Sequence, residues 1–99
     1  MIIVTGTLTA SSEIYDEFLA ALKAGIPHAL AEEGCIFYKV AAEDAEAGKI
    51  LICEGWKDEA ALAQHLNEPV VAEIIANYGG KHEMDVKIYE VSGVKDIGL

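Results

Sequence analysis

The sequence predicts one α+β domain with elements in the order β-α-β-β-α-β. Residues 2–9 alternate between two faces and are rich in β-branched side chains, which is typical of a half-buried strand. Three further strand-like segments, 35–42, 49–56 and 81–91, are separated from each other by a polar turn or by stretches with helical periodicity. At 99 residues the chain has the length of a single domain.

The first helix is expected after the first strand. Ser11 and Ser12 are good N-cap residues, and acidic side chains follow them in the first turns. The helix is predicted to run to about Glu33 and to stop at Gly34, because glycine tolerates the left-handed conformation that ends many helices. Pro27 lies inside this stretch and should kink it.

A hairpin and a short helix come next. The second strand is predicted at 35–42 and the third at 49–56, joined by the polar turn 43–48. Asp58 is a good N-cap for a helix that ends near Leu66. Pro69 then suits the first turn of another helix.

The last helix should carry a buried apolar stripe and end at the Gly79–Gly80 pair. This stripe contains Val70, Val71, Ile74, Ile75 and Tyr78. The fourth strand follows at 81–91. The domain core is therefore predicted to span about 1–91, and 92–99 form a glycine-punctuated tail that reaches toward a partner.

Right-handed crossovers in this element order place the helices on one face of a four-stranded antiparallel sheet, a ferredoxin-like arrangement. The other face of the sheet is left bare. The apolar fraction of the chain is 53%, which is high for so small a domain. We therefore expect a homodimer in which two bare faces cover each other.

The charge balance of the chain limits the classes of molecule that it can bind. The chain has a net charge of −10, with seven lysines and no arginine. This balance disfavours nucleic acid and anionic membrane surfaces as partners, because both require clustered cations. Without arginine the chain also lacks the usual bidentate clamp for phosphate or carboxylate ligands. A small, neutral and fairly apolar ligand fits this composition best.

The cysteines, the histidines and the N-terminal residues indicate the cellular compartment and whether the chain binds a metal. The N-terminus has neither the basic region nor the long apolar run of a signal peptide, and no segment is long enough to span a membrane. We expect a cytoplasmic protein with Cys35 and Cys53 reduced, although a disulfide between them stays open. The spacing of His28, His65 and His82 does not predict a metal site.

The segment from Glu54 to Leu66 is the candidate site. Glu54 and Trp56 are two residues apart and share one face of a strand. On the next helix Leu62, His65 and Leu66 share one face, so a titratable ring points toward the apolar side. An imidazole titrates near neutral pH, which suits a general base. Trp56 could orient an aromatic ring, and Glu54 could orient the histidine.

Structural alternatives stay open for each of these residues. His65 could be a hydrogen-bonded core histidine, Trp56 a core or interface residue, and Glu54 an interface acid. Tyr38 and Tyr89 lie on strands and could face a cavity that binds substrate, or they could serve packing.

Several of these motifs resemble the antibiotic biosynthesis monooxygenase family, including small bacterial quinol monooxygenases. The similar features are EEGCIFY at 32–38, the E-x-W of Glu54 and Trp56, the helix segment with His65, and Pro69 shortly after it. The resemblance implies a dimeric α/β barrel. It also implies oxygenation of electron-rich phenols or quinols without metal, flavin or other cofactor.

Two departures qualify this resemblance. The haem-degrading branch of the superfamily uses an asparagine on the first strand, where this chain has Thr5, Thr7 and Thr9, so haem chemistry is disfavoured. Members with an arginine in the pocket have no counterpart here. Two other functions remain open: an isomerase or lyase that uses His65 as a proton shuttle, and a non-catalytic dimer that binds small molecules.

Overall fold

The computed structural model describes residues 1–99 and has the predicted order of strands and helices. The strands are β1 (Ile2–Ala10), β2 (Cys35–Asp44), β3 (Lys49–Trp56) and β4 (His82–Glu90). The helices are α1 (Tyr15–Ala24), α2 (Ile26–Ala31), α3 (Glu59–Leu66) and α4 (Pro69–Tyr78). None of these helices has the length and apolar character that crossing a membrane requires.

The four strands form one antiparallel sheet in the order β2-β3-β1-β4. In β1 and β3, the buried apolar side chains alternate with less buried ones, as expected for strands with helices on one side. The α+β, ferredoxin-like prediction is thus confirmed. The last strand ends at Glu90, and 91–99 contain no helix or strand.

The first helical stretch differs from the predicted single kinked helix. It is divided at Gly25 into α1 and α2, because Pro27 lies in the first turn of α2 and has no N–H to continue the ladder. Neither predicted serine caps α1 with its side chain, and the backbone carbonyl of Ser11 instead accepts the N–H of Tyr15 at 3.0 Å. Gly34 has a φ of +90°, as predicted.

Two hydrophobic clusters fill the space between helices and sheet. The larger is built around Phe18 of α1 and Ile50 of β3, which are 1% and 0% exposed. The smaller lies at the other end of the sheet, where α2, α3 and the end of β3 meet. Its members are Ile2, Ala29, Trp56, Ala61 and Leu62.

The apolar stripe of α4 is less buried than the sequence predicts. Only Tyr78 is buried, and Ile75 remains 59% exposed. On the neighbouring helix α3, Leu66 is 53% exposed. The reason is that a cavity, and not a layer of packed side chains, lies between α4 and the sheet.

The opposite face of the sheet carries apolar side chains that no helix covers. Leu51 is 41% exposed and Tyr89 is 50% exposed on this face. Ile3 and Cys53 lie there as well, and the Phe37 ring lies against Gly55.

Candidate active site

A cavity of about 470 Å³ lies between the sheet and the helices. Its wall is mostly apolar and is built from β1, β3, β4, α1 and α4. Three polar side chains, Tyr38, Glu54 and His65, line it near the α3 end of the sheet. An apolar cavity with a few polar groups at one end is the usual form of a small-molecule site.

Strand β3 positions the first two polar groups. The side chains of Glu54 and Trp56 both point to the helix side, because alternate residues of a strand share one face. Gly55 lies between them, on the other face. Glu54 is 6% exposed and Trp56 is 0% exposed. The indole Nε1–H of Trp56 donates a hydrogen bond to Oε1 of Glu54 at 3.1 Å.

Helix α3 brings His65 against this pair. Asp58 caps the helix, since its Oδ1 accepts the N–H of Ala61 at 2.8 Å, as the sequence predicts. Ala61, Leu62 and His65 then form the buried side of α3. The imidazole is 4% exposed, and its ring centroid lies 4.5 Å from that of Trp56.

Glu32 completes the site, a role that the sequence does not predict. Oε2 of Glu32 lies 2.8 Å from Nδ1 of His65. Since an ionised carboxylate only accepts hydrogen bonds, this contact places the proton of a neutral imidazole on Nδ1. Nε2 is then the basic atom, 3.9 Å from Oε1 of Glu54.

Glu32 reaches His65 because the chain leaves its helix early. Glu32 is already extended, and Gly34 then turns the chain with a positive φ. A Cβ at Gly34 would lie 2.8 Å from the Cβ of Ala61, so glycine allows this turn to approach α3 closely. Sequence alone does not separate Glu32 from Glu33, which is exposed and pairs with Lys57 at 3.7 Å.

The site holds two carboxyl groups and one imidazole, and no lysine pairs with them. The two ion pairs made by lysine, Lys57–Glu33 and Lys87–Asp85, lie outside it. Burial raises the pKa of Glu54, and the charge of Glu32 adds to this increase. The Trp56 N–H and the His65 ring act in the opposite direction but do not cancel it.

Tyr38 lies beside these groups on β2. Its ring is 5.5 Å from that of His65 in an edge-on arrangement. Burial raises the pKa of the phenol strongly, and the negative charges of Glu54 and Glu32 raise it further. Tyr38 therefore keeps its proton and can donate a hydrogen bond.

The pKa of the nearby Cys35 thiol is also raised, and burial is the largest cause. A raised thiol pKa argues against a nucleophilic thiolate at this position.

The structure brings together four of the five predicted site residues. His65, Trp56, Glu54 and Tyr38 lie within one cluster. Tyr89 does not join them, because it pairs with Ile3 on the bare face of the sheet. Cys35 and Cys53 are not disulfide-bonded, and no group of three or more potential metal ligands occurs in the structure.

The model of one protein family, antibiotic biosynthesis monooxygenase, matches residues 1–77. The chain belongs to this family. The matched region contains every residue of the His65 cluster. Residues 78–99, which include β4 and the tail, lie outside it.

The chain is also similar to relatives of known sequence or structure. "Putative monooxygenase YcnE" of Bacillus subtilis (strain 168) is 32% identical over 65 residues, covering 66% of this chain and 68% of that protein. A crystal structure of a "putative antibiotic biosynthesis monooxygenase" from Deinococcus radiodurans superposes with a TM-score of 0.85 at 28% identity, covering 98% of both chains. A conserved protein from Methanosarcina mazei Go1 has a TM-score of 0.74 at 31% identity, covering 89% of this chain and 87% of its own.

Proposed function

We propose that this protein is a cofactor-independent monooxygenase that oxidises a small phenolic or quinol-type aromatic substrate with O2. The observation that carries the proposal is the buried His65, held at Nδ1 by Glu32 at the polar end of an apolar cavity. Membership of the family supports oxygenation in general. The apolar wall and the absence of arginine favour a neutral aromatic substrate over a phosphorylated one.

In this mechanism His65 is the general base. Its Nε2 takes the proton of a phenolic hydroxyl, and the imidazolium that forms is stabilised by the carboxylate of Glu32. The substrate anion receives a hydrogen bond from the Tyr38 hydroxyl, which stays protonated. Tyr38 thus supplies the hydrogen-bond donor that an arginine could provide in other members of the family.

The deprotonated substrate is electron-rich enough to reduce oxygen itself. It passes one electron to O2, and the resulting radicals join by a new carbon–oxygen bond to give a peroxide anion. The His65 imidazolium returns its proton to this anion. Loss of the ring hydrogen with cleavage of the O–O bond then gives a quinone carbonyl and one molecule of water, so that phenol and O2 balance quinone and water.

Glu54 and Trp56 support these steps. Because burial raises the pKa of Glu54, this carboxyl takes up a proton more readily than an exposed one, and in its protonated form it can donate to the departing peroxide oxygen. Trp56 holds Glu54 through its Nε1–H and packs its ring on that of His65, with centroids 4.5 Å apart, so that it keeps both side chains in position.

We also propose that the active form is a cytoplasmic homodimer. The uncovered sheet face, with Leu51 and Tyr89 exposed, supports packing of two sheets against each other. Two free, partly buried thiols favour a reducing compartment. Light scattering that gives a single chain mass at micromolar concentration would contradict the dimer.

Oxygen uptake with a panel of quinols and naphthols tests the activity. We expect wild-type protein to consume one O2 per substrate oxidised. His65→Gln should keep the fold and lower turnover by about 10²-fold or more, the usual scale for loss of a general base. His28→Gln is the matched control, because His28 is exposed on α2.

Two outcomes would contradict the proposal. No oxygen uptake, combined with exchange of acidic substrate C–H for deuterium, would favour an isomerase or lyase. Unchanged turnover in His65→Gln, with a melting temperature lowered by several degrees, would make the histidine structural.

A further inference from the structure

The cavity has one further polar side chain, far from the His65 cluster. His82 at the start of β4 lines the same cavity. Glu54 pairs with Val4 of β1, and His82 pairs with Ala10 of the same strand. Six residues of strand separate these two positions, which corresponds to about 20 Å.

The His82 ring is held in place by two contacts. It packs on Phe18 with ring centroids 4.8 Å apart, and its Nδ1 lies 2.9 Å from the carbonyl oxygen of Tyr78. A carbonyl only accepts hydrogen bonds, so Nδ1 must carry a proton. In the neutral ring Nε2 is then an acceptor, and no protein group bonds to it.

Between the two ends the cavity is lined mainly by aliphatic side chains and by Phe18. Leu8, Ile52 and Val86 line the sheet side, and Ile74 lines the side of α4. An apolar passage with hydrogen-bonding groups at its two ends selects ligands of matching length and polarity.

We propose that His82 is a distal binding residue that accepts a hydrogen bond from a hydroxyl at the far end of an elongated aromatic substrate. The inference rests on the proposed function only for the identity of the reacting end, which lies at His65. It narrows the substrate class from phenols in general to those with a second hydroxyl at the opposite end.

The distances set the length of this ligand. Glu54 lies on β3 and His82 on β4, on either side of β1, so two strand spacings of about 5 Å each add to the distance along the strands. Side chains stand roughly perpendicular to the sheet, so the bonding atoms at the two ends are about 20–22 Å apart. A hydrogen bond of about 2.8 Å at each end leaves roughly 14–16 Å between the two oxygens of the ligand. Three aromatic rings joined end to end span this distance, whereas a single quinol ring does not.

Binding of three rigid probes tests the proposal under anaerobic conditions, where no oxidation can occur. The first probe is para-terphenyl with a para hydroxyl on each terminal ring, and the second has only one of these hydroxyls. The third carries a methoxy group in place of the second hydroxyl, so that it can accept but not donate. Trp56, the single tryptophan of the chain, reports binding through its fluorescence.

We expect wild-type protein to bind the diol about fivefold more tightly than the other two probes, the scale of one net hydrogen bond. His82→Phe keeps an aromatic ring against Phe18 and should abolish this preference, and His82→Gln should retain part of it through its carbonyl oxygen. His28→Gln should leave the preference unchanged.

Wild-type protein with no preference for the diol would overturn the proposal. So would a methoxy probe that binds as tightly as the diol, or an unchanged preference in His82→Phe. If the variants do not fold, nitrogen NMR of wild-type His82 replaces them: Nε2 should shift with the diol and not with the single-hydroxyl probe. These results do not depend on turnover, so failure of the oxygenase proposal would be seen separately, as binding without oxygen uptake.

Discussion

Helices α1 and α4 are both ten residues long and both carry an apolar stripe, yet they contribute to the molecule in different ways. Helix α1 buries Tyr15, Phe18 and Leu22 against the sheet. Helix α4 buries only Tyr78, and the rest of its stripe lies over the cavity or faces outward. An apolar stripe therefore indicates which side of a helix faces inward, but it does not indicate whether packed side chains or a binding cavity lie beneath it.

The two helices are joined at the end of the cavity that is distant from His65. The Tyr78 ring lies 4.8 Å from that of Phe18, and the Tyr78 hydroxyl donates to Glu17 at 2.8 Å. We infer that α1 acts as the packed wall of the cavity and that α3 and α4 form its functional wall. Substitutions on the first should change stability, and substitutions on the second should change ligand binding or turnover.

The largest expected effect is on stability, from truncation on the packed wall. Phe18→Ala should lower the free energy of unfolding by about 3–5 kcal/mol, because Phe18 is 1% exposed and its ring packs within the larger hydrophobic cluster. Ile75→Ala on α4 should cost less than about 1 kcal/mol, since 59% of Ile75 is exposed. Urea denaturation of both variants measures the difference, and equal costs would contradict the contrast between the walls.

An intermediate effect is expected on turnover, from the residue that positions His65. Glu32→Gln can still accept the Nδ1–H, but it no longer offers a negative charge to the imidazolium. We expect kcat to fall by about tenfold with KM unchanged, and the rising limb of the pH–rate profile to move to lower pH.

Stability should respond differently from turnover at this position. Oε1 of Glu32 is buried without a hydrogen-bond partner, so removal of the charge should leave the free energy of unfolding equal or slightly higher. Glu33→Gln is the matched control, because it makes the same change on the exposed neighbour. A similar loss of turnover in both variants would show that net charge, and not the contact with His65, is responsible.

The same contrast explains which features the sequence could predict. Strand alternation, the Asp58 cap and the turn at Gly34 depend on local physical chemistry, and all of them are confirmed. The contact of Glu32 with His65 joins residues 33 positions apart and depends on how closely the Gly34 turn approaches α3. The separation of Tyr89 from the cavity depends on which face of β4 turns toward the helices, and alternation alone does not determine this.

The smallest expected effect concerns how stability varies with pH, and it arises at Glu54, where the requirements of fold and function oppose each other. Burial raises the pKa of Glu54 in the folded protein above its unfolded value. The folded state therefore binds this proton more tightly, and its contribution to stability is fully present below the unfolded pKa. That contribution is lost as the pH rises through the folded pKa.

Glu54→Gln should remove the loss, because an amide can still accept the Trp56 Nε1–H but does not ionise. We expect the variant to melt at nearly the wild-type temperature under acidic conditions and above it at neutral pH, while its turnover falls. Thermal melts across this pH range measure the difference, with Glu33→Gln as a control for the change in net charge. A variant that is less stable than wild type at neutral pH would mean that the ionised carboxylate stabilises the fold, and it would remove the basis for a protonated Glu54 in the mechanism.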